Sequence, residues 1–441
     1  MATRKQRENK AEQDQKPRRS VASVVDPDGF MAETIILEGY SQLHFVTLEG
    51  GLSEIIERPD VDLIPPFDPN GLVRKGVVLL PGLPRTSVSQ ERIVADLREF
   101  IHRYADVPQF WEVLIAHYVL MTWVYDRFTA VPYLRFLGEP QTGKTRCLQV
   151  AGHLAYKAIM AGGATTSSPI FRLMDVYRGT LVIDEADYKS SDLWSEIIKI
   201  LNSGYMQGMP ILRSEPSDDG YEPRAFDLFG PKILSTRKAF EDYALETRCI
   251  TLNTQEGRIR SDVPRQLPKR FYDEAQELRS ELLAWRFANY DRIQSDETDL
   301  LSLEPRLTQI GAPLYSVSLD TAFKSMLVAF LGQHAEEQRA ERPQSVIVEA
   351  IRMALGAQDQ ANIAIKDVAM RASETGCTWG IDGGFSPKRV GHLVRSLGFH
   401  PARTRDGYQF RVTQNELAEL MRRYQKSDGR NDLPAPRLMN M

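Results

Sequence analysis

The sequence predicts an α/β fold, a parallel sheet flanked by helices, and three observations carry the prediction. A strand-like run, Tyr133–Leu137, passes through Gly138-Glu139-Pro140-Gln141-Thr142-Gly143-Lys144-Thr145 into a helix-like run, Arg146–Tyr156. A second apolar run, Thr180-Leu181-Val182-Ile183, ends in Asp184-Glu185. Around them strand and helix signals alternate to about Asn253, the pattern of a sheet whose crossovers are helices.

At 441 residues and 42% hydrophobic content the chain is long enough for two or three domains. A net charge of -4 excludes an overall basic protein, so any nucleic-acid contact must come from local patches. Cys147, Cys249 and Cys377 have no paired spacing, which argues against a disulfide framework and a zinc site and fits a reducing cytoplasm. Met1 to Arg19 is rich in Lys, Arg, Glu and Gln and lacks the apolar core of a signal peptide. Phe110 to Tyr125 is apolar but interrupted by Glu112 and His117 and too short to span a bilayer; it predicts a buried core helix and no membrane partner.

In order, residues 1–24 read as a disordered tail. Residues 25–88 read as a small β-rich module, from the runs Thr34–Leu37, His44–Leu48 and Val77–Leu80 between Gly, Pro and Asp clusters. Residues 89–265 hold the α/β core behind a helical lead-in, in which Ile93, Leu97 and Ile101 and then Leu114, Val119 and Trp123 recur at helical spacing. Residues 266–334 read as helical, 335–344 as a polar linker, 345–426 as a separate small domain and 427–441 as a flexible tail.

Gly138 to Thr145 has the spacing of a phosphate-binding loop in its required strand–loop–helix setting. Its glycines let backbone amides curl around phosphate, and the helix opening near Arg146 adds partial positive charge. Lys144 is placed to reach β and γ phosphates of ATP and Thr145 to hold Mg2+. Asp184 would order the magnesium shell and Glu185 would polarise the attacking water. The bland alternative for Asp184-Glu185 is a core strand ending in an acidic turn with Asp187.

Ser168-Pro169 predicts a capped helix start. Pro231–Thr236 reads as an edge strand ending in hydroxyls, beside the acidic strand. Ser235 or Thr236 then suits contact with the γ phosphate, while capping a helix at Lys238–Tyr243 is an equally ordinary task for Thr236. Arg248 precedes the apolar run Cys249–Leu252; it suits either entry into a neighbouring subunit's site or a surface salt bridge.

Together these residues resemble the AAA+ superfamily of oligomeric P-loop ATPases, over roughly residues 90 to 330. The short interval from loop to acidic strand and the Leu-x-x-Arg element at Arg248 look most like ring helicases of viruses, plasmids and integrated elements, and minichromosome-maintenance relatives. The resemblance implies a hexamer, ATP and Mg2+, and a helical lid whose Glu304-Pro305-Arg306-Leu307 segment offers Arg306 as a second sensing arginine. It also implies a pore hairpin gripping single-stranded or forked DNA. Met209–Arg213 and Pro223–Phe226 around Ser217-Asp218-Asp219-Gly220 fit one, with Arg213 and Arg224 for phosphates and Tyr221 for stacking. Acidic Asp218 and Asp219 depart from that pattern, and a surface hairpin fits too.

Near the C-terminus, Ser386-Pro387 opens and Gly398 closes a helix with Val390, Leu393, Val394 and Leu397 on one face and Lys388, His392 and Arg395 on the other. Strand-like runs around Asp406-Gly407 follow, and helices before a hairpin resemble a winged helix. Residues 341–441 carry fifteen Lys and Arg against eleven Asp and Glu, a net +4. DNA contact, protein docking and a structural role all fit. The sequence thus predicts an ATP-driven DNA helicase or translocase, with a non-translocating AAA+ switch (loader, remodelling factor or defence-system regulator) as the alternative.

Overall fold

Six short strands open the computed structural model, which describes residues 16–424 apart from 38, 40–41, 87–88, 186–190, 218–219, 241, 255–258, 341–342, 379–383 and 406. They are β1 (Arg18–Ser20), β2 (Ser23–Val25), β3 (Met31–Ile35), β4 (His44–Thr47), β5 (Leu52–Ser53) and β6 (Asp62–Ile64). Strands β2 to β5 form an antiparallel sheet, and β1 pairs in parallel with β6. The expected tail is therefore structured from β1 onward, because its last residues add a strand. The chain divides into two compact units, Met1–Val328 and Ala329–Met441, so the β-rich module folds as part of the first.

In chain order the first unit continues with β7 (Val78–Leu79), α1 (Gln90–Tyr104), α2 (Gln109–Thr122), β8 (Tyr133–Leu137), α3 (Lys144–Leu154), β9 (Ala158–Ala161), α4 (Ser167–Tyr177), β10 (Leu181–Ile183) and α5 (Ser191–Ser203). Then come β11 (Ile211–Ser217), β12 (Gly220–Phe226), β13 (Lys232–Thr236), α6 (Tyr243–Glu246), β14 (Cys249–Asn253), α7 (Lys269–Asn289) and α8 (Pro305–Val317). The central sheet has the order β14-β8-β13-β10-β9-β7, parallel except for β7. Val77–Leu80, expected in the N-terminal module, instead supplies the antiparallel edge strand β7. Pro231–Thr236, expected at an edge, lies between β8 and β10.

Buried strands of a parallel sheet are apolar throughout, and β8 breaks this rule once. Arg135 is fully enclosed and forms a two-pronged ion pair with Glu246, with Nε donating to Thr251 Oγ1 at 3.1 Å. The pairing offsets the desolvation of its charge. A second buried network joins the N-terminal sheet to the core. Glu33 on β3 meets Lys157 Nζ at 2.7 Å and Arg286 Nε at 2.8 Å, and accepts from Tyr156 Oη at 2.7 Å. Burial alone would raise the Glu33 carboxyl; Lys157 and Arg286 reverse this and hold it below the usual carboxylate range.

α2 is buried almost all round, as expected of a core helix. The Ser168-Pro169 start is shifted by two residues: Thr166 occupies the cap position without a side-chain bond, and Ser167 Oγ donates to Glu196 at 2.7 Å. Among the described residues of 238–242 no helix forms, and α6 begins at Tyr243. Asp242 caps the short α6 instead, and among the described residues the buried Thr236 hydroxyl has no hydrogen-bond partner.

α9 (Thr321–Ala340) crosses the division between units and covers much of the stretch expected as a linker. The second unit holds α10 (Pro343–Leu355), β15 (Gln360–Ala364), α11 (Ile365–Thr378), α12 (Pro387–Ser396), β16 (Ala402–Thr404), β17 (Gly407–Thr413) and α13 (Gln414–Tyr424). Its sheet has the order β15-β17-β16, and Ile351, Val368, Val390, Val394, Phe410 and Val412 build its core. The strand β15 was not anticipated. Among the described residues no helix is long and apolar enough to cross a membrane.

Candidate functional site

The segment from Gly138 to Thr145 leaves β8 at the carboxyl edge of the sheet and enters α3. Gln141 (φ +70°) and Gly143 (φ +87°) take left-handed backbone, which curls the loop into an anion-binding concavity. Gly138 is required by space, since a Cβ there would lie 2.4 Å from Thr254 Oγ1. Thr254 Oγ1 in turn sits 2.7 Å from Thr142 Oγ1 and fastens the loop to the end of β14. Among the described residues no side chain caps α3, which suits its first amides to an incoming anion. Lys144 Nζ donates to the Glu139 carbonyl at 2.6 Å, which keeps the ammonium folded over the loop.

The acidic strand brings its carboxylates to this loop. Asp184 Oδ1 accepts from Thr145 Oγ1 at 3.1 Å and from Ser235 Oγ at 2.5 Å. The Glu185 N–H donates both to Asp184 Oδ1, at 3.1 Å, and to Ser235 Oγ, at 3.0 Å. Glu185 itself has φ +53°, an uncommon conformation for a side chain of its size, which cross-strand bonding to Ser235 maintains. A cavity of about 340 Å³ opens between Gln141, Lys144, Thr145, Glu185, Ser235 and Arg237.

The residues fit a nucleotide with magnesium by their chemistry: uncapped amides, a lysine, and a hydroxyl paired with a carboxylate. Among the described residues no group of three or more His, Cys, Asp and Glu stands ready to hold a metal alone. Phosphate oxygens and waters would complete a magnesium shell begun by Thr145 and Asp184.

Several predicted residues lie elsewhere. Arg146 points away from the cavity, donating to the carbonyls of Pro264 at 2.7 Å and Arg265 at 2.8 Å, and so anchors the segment before α7. Arg248 stands at the opposite edge of the sheet from the loop, since Cys249 pairs with Tyr133 at the start of β8. Its guanidinium is buried, bonded to Asn202 and stacked 4.1 Å from the Tyr205 ring centroid, so it forms no surface salt bridge. Arg306 joins it on the same ring at 4.9 Å and donates to Gln309, remote from the loop.

The β11–β12 hairpin forms, with Arg213 opposite Arg224. Neither arginine is spare. Arg213 stacks on Phe171 at 3.7 Å and pairs with Glu196 at 2.6 Å, and Arg224 pairs with Asp175 at 3.3 Å and Glu215 at 3.7 Å. Tyr221 is 77% exposed; Asp218 and Asp219 lie outside the described residues. The hairpin's base is moored by Lys232, whose fully buried Nζ donates to Gly204 before it and to Leu228 and Gly230 after it, at 2.6, 2.9 and 2.8 Å. Burial pushes this ammonium well below its ordinary range.

In the second unit Ser386 caps α12, accepting from the Arg389 N–H at 3.3 Å. Lys388, His392 and Arg395 line a groove of about 400 Å³ together with Lys366 and Tyr408. Asp406 lies outside the described residues.

Sequence reasoning missed Arg237, whose Nη2 lies 3.0 Å from Glu185 Oε1. The signal was available, because Arg237 directly follows the polar-ended strand. It also missed Thr254, for which no local pattern exists.

No family model matches the chain, and no curated protein matches it. Among solved structures it is similar to the NrS-1 C-terminal region in two A-form apo structures. Each likeness covers 82% of both chains, at 10% and 12% identity and a TM-score of 0.33. Similarity at that level assigns neither fold family nor activity.

Proposed function

We propose that this chain is an AAA+ P-loop ATPase that works as a ring-forming DNA helicase or translocase of a mobile element or virus. The single observation that carries the ATPase reading is the convergence of Thr145 and Ser235 on Asp184 beside Lys144 and Glu185. Lys144 and the amides of Gly143 to Thr145 would bind the β and γ phosphates. Thr145 and Asp184 would hold magnesium, which when bound neutralises charge on the transferring phosphoryl group. Glu185 would orient the attacking water and draw off its proton, while Ser235 fixes the acidic strand's end. The cap, groove and sheet order of the second unit support a winged helix that takes DNA with Lys388, His392 and Arg395.

Arg248 and Arg306 suit a role at a neighbouring subunit's nucleotide in a hexamer, because both lie away from this chain's own loop. That role requires Arg248 to leave Asn202 and Tyr205 when subunits meet. The pairing of Arg213 and Arg224 with carboxylates favours a second reading, a nucleotide-driven switch that does not translocate. ATPase rate with and without single-stranded DNA, together with strand displacement, separates the two for wild type and Lys144→Ala. DNA-stimulated turnover with displacement, lost in Lys144→Ala, is expected of the helicase. Turnover indifferent to DNA sinks the translocase and leaves the switch; no turnover at all sinks both.

A further inference from the structure

Resting on the reading of the second unit as a winged helix that meets DNA, we infer that its groove takes single-stranded DNA and not duplex. One unstacked base lies on Tyr408 while the flanking phosphates meet Lys366, Lys388, His392 and Arg395. These four basic side chains come from α11 and α12, Tyr408 comes from β17, and among the described residues no carboxylate lines the groove. Arg395 Nη1 reaches the Gly391 carbonyl at 3.4 Å, and among the described residues none of the four has an ion-pair partner. Concentrated positive charge of this kind attracts a polyanion. Arg213 and Arg224 differ, because carboxylates already neutralise them.

Gly391 forms the floor of the groove, and packing does not account for it. A glycine inside a helix weakens that helix. Gly391 is buried, yet a Cβ there would meet nothing nearer than Arg395 Nη1 at 3.8 Å, an ordinary contact. The missing side chain therefore leaves room for an occupant of the groove.

Shape decides between strand and duplex. A volume of about 400 Å³ is that of a cleft for a small molecule. Duplex readout works the other way round: side chains project from a helix that is itself inserted into a groove about 12 Å wide. Here Lys388, His392 and Arg395 stand in the wall of a concavity. A single strand offers base faces free to stack on an aromatic ring, and a duplex keeps them stacked on one another. Tyr408, 52% exposed, supplies the ring.

The test is fluorescence anisotropy of the full chain without nucleotide, on a labelled single strand and on a duplex of the same sequence. A parallel series in the Tyr221→Ala background removes any stacking by the β11–β12 hairpin. Tyr408→Ala is expected to weaken the single strand about tenfold and leave the duplex within about twofold, while Tyr408→Phe keeps the ring and the affinity. Lys366→Ala and Lys388→Ala should each lower the slope of log affinity against log salt by about 0.7 for the single strand. Gly391→Ala should raise the thermal midpoint and still weaken the single strand, a combination that loss of folding cannot produce. Equal losses on strand and duplex in Tyr408→Ala would put the α12 stripe in a major groove and overturn the inference, leaving the winged-helix reading standing. An unchanged single-strand affinity in Tyr408→Ala overturns it too. If none of these variants alters binding to either DNA, the DNA reading of the second unit falls as well.

Discussion

Glu33 and Arg286, 253 residues apart in sequence, meet at 2.8 Å with neither side chain exposed to solvent. Lys157 closes on the same carboxylate, so two cations and one strand of the N-terminal sheet meet at this side chain, with Asp126 as the second carboxylate of Arg286. Removing one member of a buried ion network strands the others in a medium that cannot solvate them, at about 3–5 kcal/mol. Glu33→Gln keeps the shape and loses the charge. It is expected to lower the chemical-denaturation midpoint as far as Glu33→Ala does, and wild-type behaviour of either variant would contradict the account.

His117 predicts an acid limb of stability. Its Nδ1 faces the Val113 carbonyl at 2.9 Å, so that nitrogen carries the proton and Nε2 accepts from Ser318 Oγ at 3.1 Å. The ring stacks on Phe323, and burial pushes its pKa down to about 4. The unfolded chain, near 6.5, binds the proton first, so this contribution is fully present above about pH 6.5 and is lost as pH falls towards 4. The loss is on the order of 3 kcal/mol. Burial also pushes His153 to about 4, so His117→Gln should flatten the stability–pH slope in this window to about half. An unchanged slope in denaturation series from pH 4 to 7 would refute the assignment.

Ser235 joins the Asp184 carboxylate to the Glu185 backbone N–H, and its removal should affect rate more than affinity. For Ser235→Ala, steady-state ATPase assays are expected to show kcat lower by about 10–100-fold with KM within about threefold. A pure KM effect would mean that Ser235 serves nucleotide binding and leaves the chemistry untouched.

The proposed sharing of sites between subunits has a complementation test. Arg248→Ala and Glu185→Gln proteins should each be inactive alone. Mixed rings should regain ATPase activity wherever an intact Glu185 faces an intact Arg248. Mixtures that stay as inactive as their parents would place Arg248 with Asn202 and Tyr205 as a structural residue of one chain.

Local pattern reveals what local pattern determines. Tyr133–Leu137 and the loop after it, the Asp184-Glu185 strand, the β11–β12 hairpin and the Ser386-Pro387 helix start were all legible, because each is specified by neighbours within a few residues. Partners across the fold were not. Val77–Leu80 reads as a strand, yet nothing in four residues says that it will pair with β9. Arg213 and Arg224 read as phosphate ligands because Glu196 and Asp175, which neutralise them, are 17 and 49 residues away. Within the site, the loop and carboxylates were legible and Arg237 stood directly after the polar-ended strand, while Thr254 emerged only from the register of β14 against β8.

Lys232 turns the hairpin into a lever. Its ammonium ties the segments before and after the hairpin to the start of β13, the strand whose far end carries Ser235. Each seven-residue arm reaches about 23 Å from that fulcrum. Any tilt of β13 would therefore reach the hairpin's base through Lys232, as it would reach the site through Ser235 at the strand's other end.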